Sequence, residues 1–119
     1  MGIRTTGGLT AAPVTIQAHY HGGCRFDLGD AAGKAARILA VYAGLAGAPP
    51  AIVSSHVGKG NAILTGVHLE MSEQECRDAL SGHTDMAAHL HVCRKLAQTG
   101  PARLEVFRQL LLNAGLTLR

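Results

Sequence analysis

Aromatic residues are scarce in this sequence, and long apolar runs and clustered charges are missing. Two tyrosines, two phenylalanines and no tryptophan, with a hydrophobic content of 47%, predict a small core of Ala, Leu, Val and Ile. No stretch approaches the ~20 apolar residues of a membrane span, so no membrane association is expected. The formal net charge is +3 and the Lys and Arg residues are scattered, which argues against a nucleic-acid surface.

The cysteines are few and irregularly spaced. Cys24, Cys76 and Cys93 are odd in number, so their pattern predicts no disulfide framework. The first ten residues lack the apolar run of a signal peptide. We therefore expect a cytoplasmic protein with reduced thiols and no cofactor.

The first 70 residues divide into a segment with many turn residues and a longer segment rich in β-branched residues. Residues 1–13 are expected to be loosely ordered, because a glycine pair and a proline break any pattern. Residues 14–70 are expected to be strand-rich. Within them, β-branched residues predict a strand over 14–20, and the apolar run 38–42 suits a buried strand or a helix.

A β-hairpin is the best-defined local feature. Residues 51–57 and 61–70 form its two arms, and Gly58-Lys59-Gly60 form the turn. Side chains two apart on a strand share a face, which places His68 beside Glu70. A carboxylate in that position can orient a histidine that acts as a general base.

Residues 72–116 are predicted to be helical. Ser72 and Glu75 fit a capping box for a short helix, and Thr84 or Asp85 caps a second one. Pro101 begins the third. The apolar stripes of the second and third helices are predicted to be Met86, Leu90, Cys93 and Ala97, and Leu104, Phe107, Leu111 and Ala114. Strands followed by helices predict an α/β domain with a small mixed sheet, a hairpin and C-terminal helices.

A metal site is one alternative to the catalytic pair. His19, His21 and Cys24 form an H-x-H-x-x-C cluster of possible zinc ligands, but no second cluster supplies a fourth ligand. His68 and Glu70 also fit the H-x-E of zinc deaminases, yet the P-C-x-x-C motif that completes that site is absent. The pattern therefore favours a protein without a metal site.

Nucleophile and anion sites are weaker candidates. Cys24 follows Gly22-Gly23, as a nucleophile on a glycine-flanked turn would, but it lacks the second flanking glycine and a following helix. A tolerated small residue is favoured there. Gly22, Gly23 and Lys59 are candidate binding residues, although a Gly-Lys-Gly turn is more often simply exposed.

The hairpin and its flanks resemble a known family. The segment 51–70, with 20–26 before it and 103–116 after it, resembles the class I glutamine amidotransferase-like domain found at the N-terminus of eukaryotic biotin protein ligases. The resemblance implies a flavodoxin-like fold, and it places His68 and Glu70 on the His and Glu of a Cys-His-Glu triad. The match covers only the C-terminal half of that domain.

The sequence departs from the family pattern in ways that bear on activity. Leu69 replaces the common Pro, His21 the usual Asn and Cys24 a usual Gly, and no G-x-C-x-G nucleophile motif occurs. The half of the domain that carries the nucleophile is expected to precede Met1. Nothing resembles the biotin-transferring domain.

These observations predict a single partial amidotransferase-like domain over residues 1–119, acting as a non-catalytic binding or regulatory module. The alternatives are an amidohydrolase completed by another chain or a second copy, and the metal-binding module described above. An uncovered strand edge in a cut sheet predicts self-association, most simply as a two-fold dimer.

Overall fold

Five strands and three α-helices make up the computed structural model, which describes residues 1–82 and 85–118. The strands are β1 (Gly2–Thr5), β2 (Thr15–Gln17), β3 (Ala36–Tyr42), β4 (Pro50–Val57) and β5 (Gly60–Thr65). The helices are α1 (Glu73–Leu80), α2 (Met86–Gln98) and α3 (Gly100–Asn113). The α/β fold with a hairpin and C-terminal helices is confirmed.

The sheet has the strand order β2-β1-β3-β4-β5, and every pairing between these neighbours is antiparallel. A parallel bridge joins Ala32 to Ala36 beside β3. Residues 38–42 belong to a strand, which resolves the choice between strand and helix. The core contains Ile3, Ile16, Leu39 and Ile52 from the sheet and Val106 and Leu110 from α3, so it is mainly aliphatic as predicted, with Tyr42 as a buried aromatic member.

The expectation of a loosely ordered N-terminal segment is wrong for its first residues. β1 lies between β2 and β3, and Ile3 pairs with Ile16 on one side and Tyr42 on the other. The Thr5 hydroxyl accepts a hydrogen bond from the Val14 amide at 2.8 Å. A β-branched residue at position 3 can fill the core, and the glycine pair that follows makes a turn within the fold.

The hairpin is shorter than predicted. β4 and β5 pair from Ile52↔Thr65 to Val57↔Gly60, and Gly58 at the turn has a φ of 59°. β5 ends at Thr65, five residues before the predicted end of the arm, because the chain bends where Gly66 packs against another loop.

The capping box of α1 is confirmed. The Ser72 hydroxyl accepts from the Glu75 amide at 3.1 Å, and the Ser72 amide donates to the Glu75 carboxylate at 2.7 Å. Asp85 occupies the N-cap position of α2 without a side-chain cap bond. Thr84 and the side chain of Met86 lie outside what the structure describes.

The predicted stripes of α2 and α3 are partly wrong. In α2, Cys93 is buried as predicted, but Leu96 takes the place of the exposed Ala97. In α3, Leu104 is 67% exposed, and the buried residues are Arg103, Val106 and Leu110. Leucines occur on more than one face of α3, so periodicity alone does not select the buried face.

Two glycines meet where the loop before β3 crosses the end of β5. A Cβ atom on Gly66 would overlap the Cys24 carbonyl, and a Cβ on Gly23 would overlap the Gly66 carbonyl. The Tyr42 hydroxyl closes the contact by donating to the Cys24 carbonyl at 2.6 Å, with the Gly66 carbonyl at 3.3 Å. The loop at 23–24, β3 and the residues after β5 are therefore held together at one point.

Gly66→Ala should destabilise the fold, because its methyl group has no space between two backbone segments. Overpacking of this kind costs typically about 1–3 kcal/mol. Urea denaturation of the variant and of wild type measures the difference. Gly44→Ala is the matched control, because a Cβ at Gly44 meets nothing within 4 Å. Equal stability of the two variants would contradict the role assigned to this contact.

Candidate functional site

His68 and Glu70 lie side by side on the segment that follows β5. The Nδ1 atom of His68 is 2.7 Å from the Glu70 carboxylate, and the two side chains are 49% and 56% exposed. Val67 and Leu69, which flank His68, are each 3% exposed and anchor the segment in the core. The alternation expected from the sequence thus brings the pair together, after β5 has ended.

A backbone bridge positions His68. Its amide donates to the His19 carbonyl at 2.8 Å, and the His19 amide donates to the His68 carbonyl at 3.3 Å. His19 follows the buried Ala18 just after β2, which itself pairs with β1. The backbone of His68 is therefore connected to both edge strands of the sheet, to β5 along the chain and to the residue that follows β2 through the bridge.

Three imidazoles form a row that ends at the carboxylate. The His19 and His68 ring centroids are 5.8 Å apart, and those of His19 and His21 are 6.3 Å apart in a stacked arrangement. Burial lowers the pKa of His19, and the charges that His68 and His21 can acquire lower it further. Within the described residues, Nδ1 of His19 is buried without a hydrogen-bond partner. His19 is therefore a neutral neighbour of His68 at pH 7.

No thiol accompanies the pair in the part of the chain that the structure describes. Cys24 is exposed, and its carbonyl is engaged with the Tyr42 hydroxyl, but its sulfur makes no hydrogen bond to His68. The pKa of Tyr42 is raised, chiefly by burial. Cys76 and Cys93 are buried in a separate cluster between α1 and α2. His68 and Glu70, which the resemblance predicts to be two members of a Cys-His-Glu triad, thus lie together with no thiol bonded to either in the described residues.

The other sequence candidates do not converge on one site. Among residues 1–82 and 85–118, no group of three or more His, Cys, Asp and Glu side chains is arranged to hold a metal ion. Gly23 packs on Gly66, while Gly22 has a φ of 62° in open space. Lys59 is exposed at the hairpin tip. His19 and His21 join the histidine row, whereas the Cys24 sulfur makes no bond to either.

A cleft of about 380 Å³ adjoins Glu70. One wall is the segment from Leu69 to Gln74, which leads into α1, and the other is formed by Ala97, Gly100, Arg103 and Leu104. Sequence reasoning missed Arg103. Its position in the sequence could have indicated burial, because Arg103 lies three and seven residues before Val106 and Leu110 and therefore shares the buried face of α3.

Arg103 is a buried cation without a charged partner among the described residues. It is 4% exposed, and its Nη1 donates to the carbonyls of Leu96 at 2.6 Å and Gln17 at 3.2 Å. Burial lowers the pKa of its guanidinium.

The carboxylates that line the cleft are occupied elsewhere. Glu70 is paired with His68, and Glu73 accepts two bonds from Arg77. Among the charged residues that line the cleft, Arg103 is the one without a side-chain partner in the described part of the chain.

His19 should make the stability of the protein pH-dependent. Its pKa is lowered in the fold, so as the pH falls through about 6.5 the unfolded chain binds a proton first and stability is lost. The loss levels off below the folded-state pKa. His19→Gln should reduce the drop in urea midpoint between about pH 7.5 and about pH 5. His91→Gln, on the exposed side of α2, is the control. A wild-type pH dependence in His19→Gln would contradict this assignment.

Comparisons with known proteins identify a family. A family model described as "Biotin-protein ligase, N terminal" matches residues 4–119. No curated protein and no solved structure matches the chain. In the described part of the chain, no helix has both the length and the apolar character needed to cross a membrane. Because the family model covers nearly the whole sequence, the chain belongs to the biotin-protein ligase N-terminal family.

Proposed function

We propose that this chain is a binding or regulatory module with a glutamine amidotransferase-like ancestry and no self-sufficient catalysis. The proposal is carried by the ordered His68–Glu70 pair, whose 2.7 Å contact has no thiol bonded to it within the described residues. In a Cys-His-Glu triad the histidine acts by activating a cysteine that attacks the substrate amide. A pair without that nucleophile retains hydrogen-bonding groups for a ligand.

Biotin transfer is not part of this proposal. The sequence lacks the glycine- and arginine-rich adenylate-binding loop of the ligase domain, and the family description refers to the N-terminal region of such enzymes.

Glutaminase activity should be absent or independent of His68. Purified wild type and His68→Ala, incubated with glutamine, should release ammonia at the same background rate, because no nucleophile is activated. His91→Gln serves as a control for the loss of a surface histidine. Clear turnover that disappears in His68→Ala would overturn the non-catalytic proposal.

A second candidate is an amidohydrolase completed by another chain or by a second copy. The half-exposed His68 and Glu70 favour it, since another chain could reach them. β5 lies at the edge of the sheet and its Leu64 is 53% exposed, while Val57, at the end of the neighbouring β4, is 65% exposed. An open, apolar strand edge supports a two-fold dimer through β5.

The same glutaminase assay distinguishes this candidate when it is run at rising protein concentration, with sedimentation velocity as the measure of self-association. A completed site gives specific activity that rises with dimer content and falls in Leu64→Lys. A monomer at every concentration, without activity, excludes the homodimeric form. Ammonia release that appears only with a second, cysteine-bearing chain supports a heteromeric one.

For the binding role, we propose the cleft beside Glu70 as the ligand site and a small organic carboxylate with an apolar body as the ligand. Leu69 and Leu104 provide apolar lining, and Arg103 supplies a cation whose hydrogen bonds go to backbone carbonyls. A guanidinium held by carbonyls on one side is pre-organised to receive a carboxylate on the other.

Octanoate should bind this cleft more tightly than octanamide, which has the same body without the charge. The difference should be roughly tenfold to a hundredfold, as charge-assisted hydrogen bonds give. Isothermal titration calorimetry measures it. Arg103→Lys should keep weak binding and Arg103→Met should lose it, while Arg108→Met, whose side chain is 55% exposed on the same helix, should bind normally. Equal affinity for the two probes, or normal binding by folded Arg103→Lys and Arg103→Met, would rule out the site.

A further inference from the structure

We propose that Cys76 and Cys93 are a dithiol pair that oxidises reversibly to a disulfide linking α1 to α2. The two sulfur atoms lie 3.0 Å apart, and each residue is 1% exposed. They come from different helices and share an apolar cluster with Leu96, Met71 and Leu80. The inference is independent of the proposed binding role.

The geometry requires only a small movement. A disulfide bond is about 2.05 Å long, so the sulfurs need to approach by about 1 Å, which side-chain rotation can provide. The packing of α1 on α2 already brings both cysteines to the same point of the interface. By contrast, Cys24 is exposed in a different part of the fold and makes no sulfur contact with either cysteine in the described residues.

Burial decides how the pair reacts. It raises the pKa of the Cys76 thiol to about 11, with the hydrogen bond to Cys93 adding to the effect. Thiolate is therefore scarce at neutral pH, and the first attack on an oxidant is slow. A cleft of about 170 Å³, lined by Arg77, Leu80 and Cys93 among others, adjoins the buried pair, and a small opening of this cleft would admit an oxidant.

Once one thiol has reacted, its neighbour is the nearest nucleophile. With a low-molecular-weight disulfide as oxidant, one cysteine thiolate attacks a sulfur and releases one thiolate, leaving a mixed disulfide. The second cysteine thiolate then attacks the protein-side sulfur and releases the other. The protein loses two protons and two electrons, and the reagent is reduced to two thiols.

The crosslink would act on the cleft beside Glu70. α1 begins three residues after Glu70, and Ser72, Glu73 and Gln74 at its start form part of the cleft wall. Ala97, on the C-terminal side of Cys93 in α2, lies on the opposite wall. A bond between the two helices would fix the separation of these walls.

The test is oxidation by glutathione disulfide in native buffer, followed by blocking with N-ethylmaleimide and trypsin digestion. In Cys24→Ser, which lacks the exposed thiol that would itself react with glutathione disulfide, we expect a protein 2 Da lighter that takes up no maleimide, with tryptic peptides 60–77 and 78–94 joined. The melting temperature should rise by roughly 5–10 °C, because the crosslink restricts the unfolded chain. Dithiothreitol should restore both properties.

Cysteine variants show which residues form the disulfide, and a comparison with the unfolded chain shows whether the fold favours it. Cys24→Ser should form the crosslink normally, whereas Cys76→Ser and Cys93→Ser should not. In Cys24→Ser, the equilibrium constant for crosslinking against glutathione should be at least about tenfold larger in the folded than in the urea-unfolded protein, because the fold favours the disulfide that stabilises it. An equal or smaller equilibrium constant in the folded protein would overturn the proposal. So would a folded protein in which Cys76 and Cys93 form only mixed disulfides with glutathione.

Discussion

The contact between Gly23 and Gly66 is the constraint on which the candidate site depends. The two backbones approach so closely that neither position has space for a Cβ, and one hydroxyl, that of Tyr42, bonds the carbonyls on both sides. β5 ends at this contact, and the chain then turns toward His19. Without that turn the strand would continue straight, and His68 would leave the bridge that fixes its imidazole.

The environment on the two sides of His68 is asymmetric. On one side Glu70 accepts or shares a proton with Nδ1, and on the other lies His19, a ring that burial keeps neutral. The lowered pKa of His19 disfavours a positive charge on the ring next to His68, and the hydrogen bond between His68 and Glu70 lies on the other side. The row of rings therefore supports an orienting role for the carboxylate, with or without a nucleophile nearby.

Sequence reasoning found what depends on local patterns and missed what depends on tertiary contacts. The hairpin turn, the capping box and the His68–Glu70 pair follow from glycine conformations, side-chain spacing and strand alternation, and all three are in the structure. The place of β1 was missed because four residues carry little pattern until their partner strands are known. Arg103 was missed because a cation is not expected on the buried face of a helix, and here the carbonyls of Gln17 and Leu96 make it tolerable.

α1 connects the features that lie outside the histidine row. Its first turn forms a wall of the cleft, Glu73 in that turn is neutralised by Arg77, and Cys76 one turn later faces Cys93. Neutralising Glu73 matters because a free carboxylate opposite Arg103 would compete with an anionic ligand. Since the same helix carries the thiol that packs against α2, any change in the distance between α1 and α2 alters the width of the cleft. A ligand in the cleft and a disulfide between these helices would therefore be coupled through the position of α1, and the coupling would act in both directions.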